Sequence, residues 1–554
     1  MWKLFATTVL PFLCLLTTTP AHPQSITAAP DGTDTIVTID GQTYHIQGGR
    51  QGGANLFHSF REFGLEPGEI AHFLSDPGIA NIFGRVTGGN ASIIDGLVQA
   101  NTNLYLMNPA GMVFGPNAQL NVGGDFVATT ADRICFAEGC FNAVGLNDYG
   151  RLLGSPTTLG FLQDQPGSIV NTGRLEVLKG KSIQLLGGTV INLGEIVTPG
   201  GAVVIAAIPG SRNVHLTTPG SLLKLEVSDV ILSETISPLD LPTLLTAAPA
   251  VAKAIETPLG NVAIVGTVQG EQVDLYAAGV VEREKTATLQ GDMRVVRFSE
   301  LGKNPEQALF IDRRSDHPED LLFGAKAGTV SQIIETDEDG ITVITEQLGE
   351  ISAAVGELAS VAIVAEGNAG NFWLGKQWLR ADNINDHAAQ LQTWGAALTE
   401  SADLLLYSCF TALGETGEAL VATLASLTGA DVAVSVDVTG STNYGGNWEL
   451  EISTGSIESG NPFTSETLGN WEGKLATRTV TTIASSGTGS LREALNLAMD
   501  GDLINFDTTG IFATPQTISL GASLNISTDN LTIAGTGQNQ LFIDGASSQR
   551  VFNL

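Results

Sequence analysis

The stretch "NTNLYLMNPAGMVFGPNAQL", residues 101–120, states one pattern twice: an asparagine, a short apolar run and a turn. Asn at the first position, Pro at the second and Gly at the fourth of Asn108-Pro109-Ala110-Gly111 fit a type I turn. Pro presets one dihedral there, and Asn bonds its own backbone. Past the turn, Ala118, Leu120 and Val122 fall on one face of a strand, Gln119 and Asn121 on the other. Such a unit turns one short strand onto the next, repeatedly and in the same sense.

The pattern extends outward in both directions. From Ile26 to about Phe298, brief apolar runs alternate with Gly, Asn and Asp turns, without a sustained helical period. "IVNTGRLEV" at 169–177 returns as "VINLGEIVT" at 190–198, which sets Asn171 and Asn192 21 residues apart. That period suits one coil of a parallel β-helix, whose coils bury their apolar faces only by stacking. Asn171 and Asn192 are candidates for a ladder at a turn.

Composition agrees. A chain of 554 residues exceeds what one core fills, so several domains are expected. With 65 Gly, 6% aromatic and 15% charged residues, it reads as mainly β. Its 26 basic against 58 acidic residues give a net charge of -32, which repels nucleic acid and anionic membrane surfaces.

Residues 1–24 read as a secretory signal peptide: Lys3, an apolar run from Leu4 to Leu16, then small residues around Ala21. Cleavage is expected near Ala21, with Gln24 the alternative. No later apolar stretch is long enough to cross a bilayer as a helix. Export permits disulfides. Cys14 leaves with the signal, Cys135 and Cys140 in "ADRICFAEGC" are placed to close a hairpin, and Cys409 is left over.

Three blocks then carry a resemblance: "NLFHSFREFGLEPGEIAHF" (55–73), "ANIFGRVTGGNASIIDG" (80–96) and "NTNLYLMNPAGMVFGPNAQLNVGGDFVATTA" (101–131). Together they resemble the filamentous haemagglutinin N-terminal domain, the secretion domain of two-partner secretion (TPS) exoproteins, over residues 25–245. Residues 246–300 read as a continuation of the same β-helix. The resemblance implies a right-handed parallel β-helix with a pectin lyase-like fold. It also implies export by the Sec machinery and recognition by a dedicated outer-membrane β-barrel transporter. The product is then an adhesin-like protein, secreted through the periplasm to the surface or surroundings of a Gram-negative bacterium, with a cell-surface or carbohydrate ligand.

The family motifs N-P-N-L and N-P-N-G-I are similar to Asn101-Thr102-Asn103-Leu104 and Asn108-Pro109-Ala110-Gly111-Met112. Thr102 replaces Pro and Ala110 replaces Asn. These departures keep the turn geometry, so a turn-forming role for the asparagines is favoured over direct reading by the transporter.

Residues 301–307 read as a linker, after which the pattern changes. Over 308–475 the runs "ALFID", "TVSQIIE", "VAIVAE", "ADLLLYSC" and "ADVAVSV" alternate with helical stretches, as in a parallel α/β sheet. Ala388, Leu391, Trp394 and Leu398 make one helix face; Leu420, Leu424 and Leu427 make another, ending at Gly429.

Cys409 closes the strand "LLLYSC", where a thiol is either an activated nucleophile or an inert buried apolar group. This module resembles the domain of unknown function 4347, itself similar to caspase-like and CHAT-type cysteine peptidases. The family places a His-Gly pair at the end of the preceding strand. This chain has Glu366-Gly367 there. A carboxylate beside a thiol raises its pKa instead of supplying a base. His387, the nearest histidine in sequence, falls on a predicted solvated helix face.

In residues 478–554, "SLREA" (490–494) resembles the start of right-handed β-helix repeats, and the strands that follow read as first coils of a second β-helix, with a truncated end. Asp502, Asp507 and Asp544 are too scattered and turn-like for a glycosidase pair. The function expected is therefore a non-catalytic secreted exoprotein, with a cysteine peptidase using Cys409 and a carbohydrate-active β-helix enzyme as alternatives. No motif points to a cofactor or a metal.

Overall fold

The computed structural model describes residues 26–216, 223–227, 260–299, 303–475, 478–487, 489–498, 503–507, 510–526, 531–546 and 550–553. The expected signal peptide, Cys14, Asp502 and most of 217–259 lie outside the described residues.

Three parallel walls run up the first half of the chain. One stacks Asn55–Glu62, Asn81–Val86, Asn103–Met107, Phe126–Thr129, Ile183–Gly187 and Ala202–Ala207 in parallel register. A second stacks Thr43–Gly48, Ile70–Phe73, Leu97–Ala100 and Gln119–Val122. The third stacks Ser92–Ile94, Met112–Phe114, Ile169–Asn171, Val190–Asn192 and Val262–Ile264. Each circuit of the chain visits all three walls, which is a parallel β-helix.

Strand periodicity decides what faces inward. Ala118 and Val122 are buried in the interior and Leu120 packs against it, while Gln119 and Asn121 are exposed. Short strands joined by tight turns leave no room for helices, and Tyr149–Arg151, a single 3-10 turn, is the helical element described before residue 300.

An antiparallel sheet lies outside the coil, built from Arg133–Cys135, Cys140–Asn142, Thr158–Phe161, Arg212–His215 and Lys224–Val227. Its Ile134, Phe141 and Leu159 pack on Phe57, Phe83 and Met107 of the β-helix wall. These outward aromatics of the coil thus have an apolar partner.

The α/β module begins at Gln307. Its parallel strands Gln307–Asp312, Thr329–Ile334, Leu358–Val364, Leu398–Tyr407 and Asp431–Val434 are flanked by helices Gly340–Val355 and Gly414–Thr428. The first of these helices starts where Asp339 accepts from the Thr342 N–H; the second stops at Gly429, whose φ of 76 suits glycine.

The expected apolar face through Leu398 is corrected. The helix ends at Trp394, a 3-10 turn follows, and Leu398 opens the strand Leu398–Tyr407. Leu398 is buried all the same, so its hydrophobicity served a strand and continued the helical spacing only by coincidence.

The two parts share one sheet. Strand Thr288–Arg297, in the last described coil, pairs in parallel with Thr267–Ala277 and antiparallel with Thr329–Ile334 of the α/β module. The edge that would end the β-helix is thereby paired over Arg294–Arg297.

The C-terminal residues form their own small core around Val480, Ile504 and Ile518, with parallel pairs such as Gln516–Ser519 on Leu541–Asp544. Helix Leu491–Leu497 starts at Ser490, whose hydroxyl accepts from the Glu493 N–H.

Candidate functional site

The opening turn is built inward. Asn108 is 1% exposed; its Nδ2 donates to the Asn90 carbonyl and to Ser92 Oγ, both at 3.0 Å. Its Oδ1 accepts from the Ala110 N–H and its carbonyl from the Gly111 N–H, again at 3.0 Å. Pro109, Ala110, Gly111 and Met112 are buried, and so is Leu104. Gly111 takes φ 111, a conformation open to glycine. Of the two motifs, Asn101 alone is exposed, accepting from Ser75 Oγ at 2.7 Å, with Thr102 and Asn103 half-buried.

Asn103 belongs to a ladder. Its Nδ2 donates to Asn81 Oδ1 at 2.9 Å, Asn81 Nδ2 donates to Asn55 Oδ1 at 2.8 Å, and Asn103 Oδ1 accepts from the Asp125 N–H at 2.8 Å. Two positions along, Phe57 stacks on Phe83 at 5.1 Å and Phe83 on Tyr105 at 4.6 Å. The signal is visible in hindsight as "NLF", "NIF" and "NLY" at 55, 81 and 103. Asn171 and Asn192 form a second ladder, with a side-chain bond of 2.8 Å.

Cys135 and Cys140 are joined by a disulfide at the tip of the outer sheet. Arg85, 1% exposed, anchors that sheet: it donates to Ser59, to Asp31 and to the carbonyls of Asn142 and Gly145.

In the α/β module, Cys409 and Glu366 stand at the carboxyl ends of neighbouring strands, where such sheets place their chemistry. Cys409 is fully buried, accepts the Thr439 N–H at 3.1 Å, and its thiol is pushed up to about 12 by burial, with the Glu366 charge adding to the effect. Glu366 is itself held well above the usual carboxylate range by burial and by nearby Asp312 and Asp316. Asp312 is pushed up to about 6, mainly by burial.

His387 does not join them. It is half-buried, not solvated, and its ring nitrogens lie 3.2 Å from Gln377 Nε2 and 3.3 Å from Gln390 Oε1. The groups that act on Cys409 are Thr439, Leu475 and Glu366. Burial and a raised pKa thus keep the thiol from the access and the thiolate that nucleophilic catalysis needs. Asp507 and Asp544 accept from the N–H groups of Gly510 and Ala546, as turn residues do. No group of three metal-ligating side chains is found among the described residues, and no described helix is long and apolar enough to cross a membrane.

Comparison with known proteins finds two matched segments. Residues 24–237 match the TPS secretion domain, and residues 308–475 match the domain of unknown function DUF4347. A heme/hemopexin-binding protein of Haemophilus influenzae strain Rd is 38% identical over 115 residues, 21% of this chain and 12% of that protein. A second Haemophilus influenzae heme/hemopexin-binding protein is 34% identical over 96 residues, 17% of this chain and 10% of its own length. The chain thus spans a small part of these relatives.

Among solved structures, the HMW1 secretion domain from Haemophilus influenzae aligns with a TM-score of 0.35 and 13% identity, covering 94% of this chain and 100% of that one. The filamentous hemagglutinin secretion domain aligns with a TM-score of 0.25 and 13% identity, covering 49% and 96%. The chain is thus similar to the TPS secretion domain over residues 24–237 and to DUF4347 over residues 308–475.

Proposed function

We propose that this chain is an exoprotein exported by two-partner secretion. The Sec machinery delivers it to the periplasm, a dedicated outer-membrane β-barrel transporter carries it out, and it acts at the cell surface or beyond as an adhesin-like, non-catalytic protein. The observation that carries the reading is the TPS match over residues 24–237, on a segment folded as a parallel β-helix.

The α/β module takes a structural part in this reading. It pairs its strand Thr329–Ile334 with the last described coil, and its one free thiol is buried beside Glu366 instead of an imidazole. The burial of Asn108 and Leu104 favours exposed Asn101 and the outer surface of the coil as what a transporter meets.

Deletion variants test the assignment of parts. Removing 303–475 is expected to leave export in place and to yield an aggregation-prone product, because strand Thr288–Arg297 loses its partner. Removing 26–216 is expected to abolish export. Export that survives loss of 26–216 contradicts the reading.

A further inference from the structure

Two arginines of the strand Thr288–Arg297 are taken out of water, and they are treated differently. Arg294, 2% exposed, is neutralised by Asp274 and Glu350. Arg297, 9% exposed, has no carboxylate within ion-pair distance among the described residues. Its Nη1 donates to the Ala325 carbonyl at 3.2 Å, and its Nε has no acceptor. Glu282 acts on it from beyond ion-pair distance, so the cost of burying this cation is only partly offset.

Arg297 forms part of the wall of a cleft of about 480 Å³ between the last coils of the β-helix and the α/β module. Exposed Lys285 stands on the same cleft, and so does Arg283, whose guanidinium lies 5.4 Å from the centre of the Phe323 ring and pairs with Asp320 at 3.4 Å. Phe323, half-buried, gives one apolar wall; Asn470 and Thr464 add polar groups. The volume suits one or two sugar rings.

The charge in the cleft narrows the ligand. Glu282, Asp320 and Glu466 also line it, opposing Arg283, Lys285 and Arg297, so a polyanion meets more repulsion than a single carboxylate seated on Arg297 and Lys285. An arginine accepts one carboxylate in a forked pair.

We propose that this cleft binds an acidic monosaccharide unit of the uronic acid kind, its carboxylate on Arg297 and Lys285 and its ring against Phe323. The site is independent of the export reading, since binding is measured on purified protein whatever its route out of the cell.

The test is calorimetry and saturation-transfer NMR on the purified full chain, with glucuronate as the probe and with glucose, acetate, sulfate and inorganic phosphate as comparisons. Saturable glucuronate binding near the millimolar range, absent for glucose and weaker for the bare anions, is expected. Arg297→Met is expected to weaken it about tenfold or more, and Lys285→Glu to weaken it measurably. If Arg297→Met fails to fold, exposed Lys285→Glu decides. Absence of glucuronate binding, equal binding of glucose, equal binding of acetate or sulfate, or wild-type affinity in Lys285→Glu each overturns the proposal.

Discussion

Arg294 holds Asp274 by two hydrogen bonds of 3.0 and 3.1 Å while its Nη1 donates to Glu350 at 3.1 Å. Asp274 sits on the preceding coil and Glu350 on the helix Gly340–Val355, so one guanidinium ties the β-helix to the module that follows. Gln347 adds a fourth bond at 3.0 Å. The coil end and the α/β sheet are thus joined by a ladder and by a buried ion pair.

Breaking this tie leaves Asp274 buried without its counter-ion, so Arg294→Met is expected to cost roughly 3–5 kcal/mol. The double variant Arg294→Met, Asp274→Leu is expected to recover most of that loss, because no lone charge remains. Denaturant unfolding of the three chains checks it; equal stability of single and double variants would show that the pair is not what matters.

The asparagine ladder gives a second expectation. Asn81→Ala removes a rung on each side and leaves Asn55 Oδ1 without its donor, a cost of about 2–4 kcal/mol. Asn101→Ala, at an exposed position, is expected to stay within about 0.5 kcal/mol of the parent. Thermal melts of the two variants side by side measure the difference.

Buried carboxylates set a pH dependence. The folded state holds Asp312 at about 6, above its ordinary value, so the native chain binds more protons than the unfolded one between the two. Its contribution is full below about pH 4 and is lost as pH rises through about 6, on the order of 2–3 kcal/mol. Glu366, likewise raised by burial, adds to the same loss. Glu366→Gln is therefore expected to stabilise the chain at neutral pH and to flatten that fall, which pH-dependent denaturation curves of both proteins follow.

The Cys409 thiol is sealed and its thiolate disfavoured. Iodoacetamide is expected to leave Cys409 unlabelled in the native protein at pH 8 and to label it after unfolding, as peptide mass mapping reads out. Rapid native labelling would mean an open, activated thiol and would revive the peptidase reading.

Much of this was legible from residue types alone. The Asn108 turn, the 21-residue spacing of Asn171 and Asn192, and the outward Gln119 and Asn121 all follow from local rules of turn chemistry and strand alternation. The Asn55–Asn81–Asn103 ladder was hidden because its spacings, 26 and 22, differ where loops of unequal length join the coils. Leu398 misled because helical spacing and strand burial agree at that residue.

What local rules lack is long-range pairing. Nothing in "TVSQII" distinguishes a strand that pairs with its own module from one that also takes Thr288–Arg297 as an antiparallel neighbour. The outer sheet joining Arg133–Cys135 and Thr158–Phe161 to Arg212–His215 is hidden for the same reason, as are Arg294 with Glu350 and Arg297 with the Ala325 carbonyl, since each depends on which distant segments meet.

The most direct measurement is export itself: the full chain expressed in a Gram-negative host with and without its cognate outer-membrane transporter, and the medium compared with the periplasm. Two-partner secretion predicts folded protein in the medium when the transporter is present and protein confined to the periplasm when it is not. Equal amounts in the medium under both conditions would contradict it.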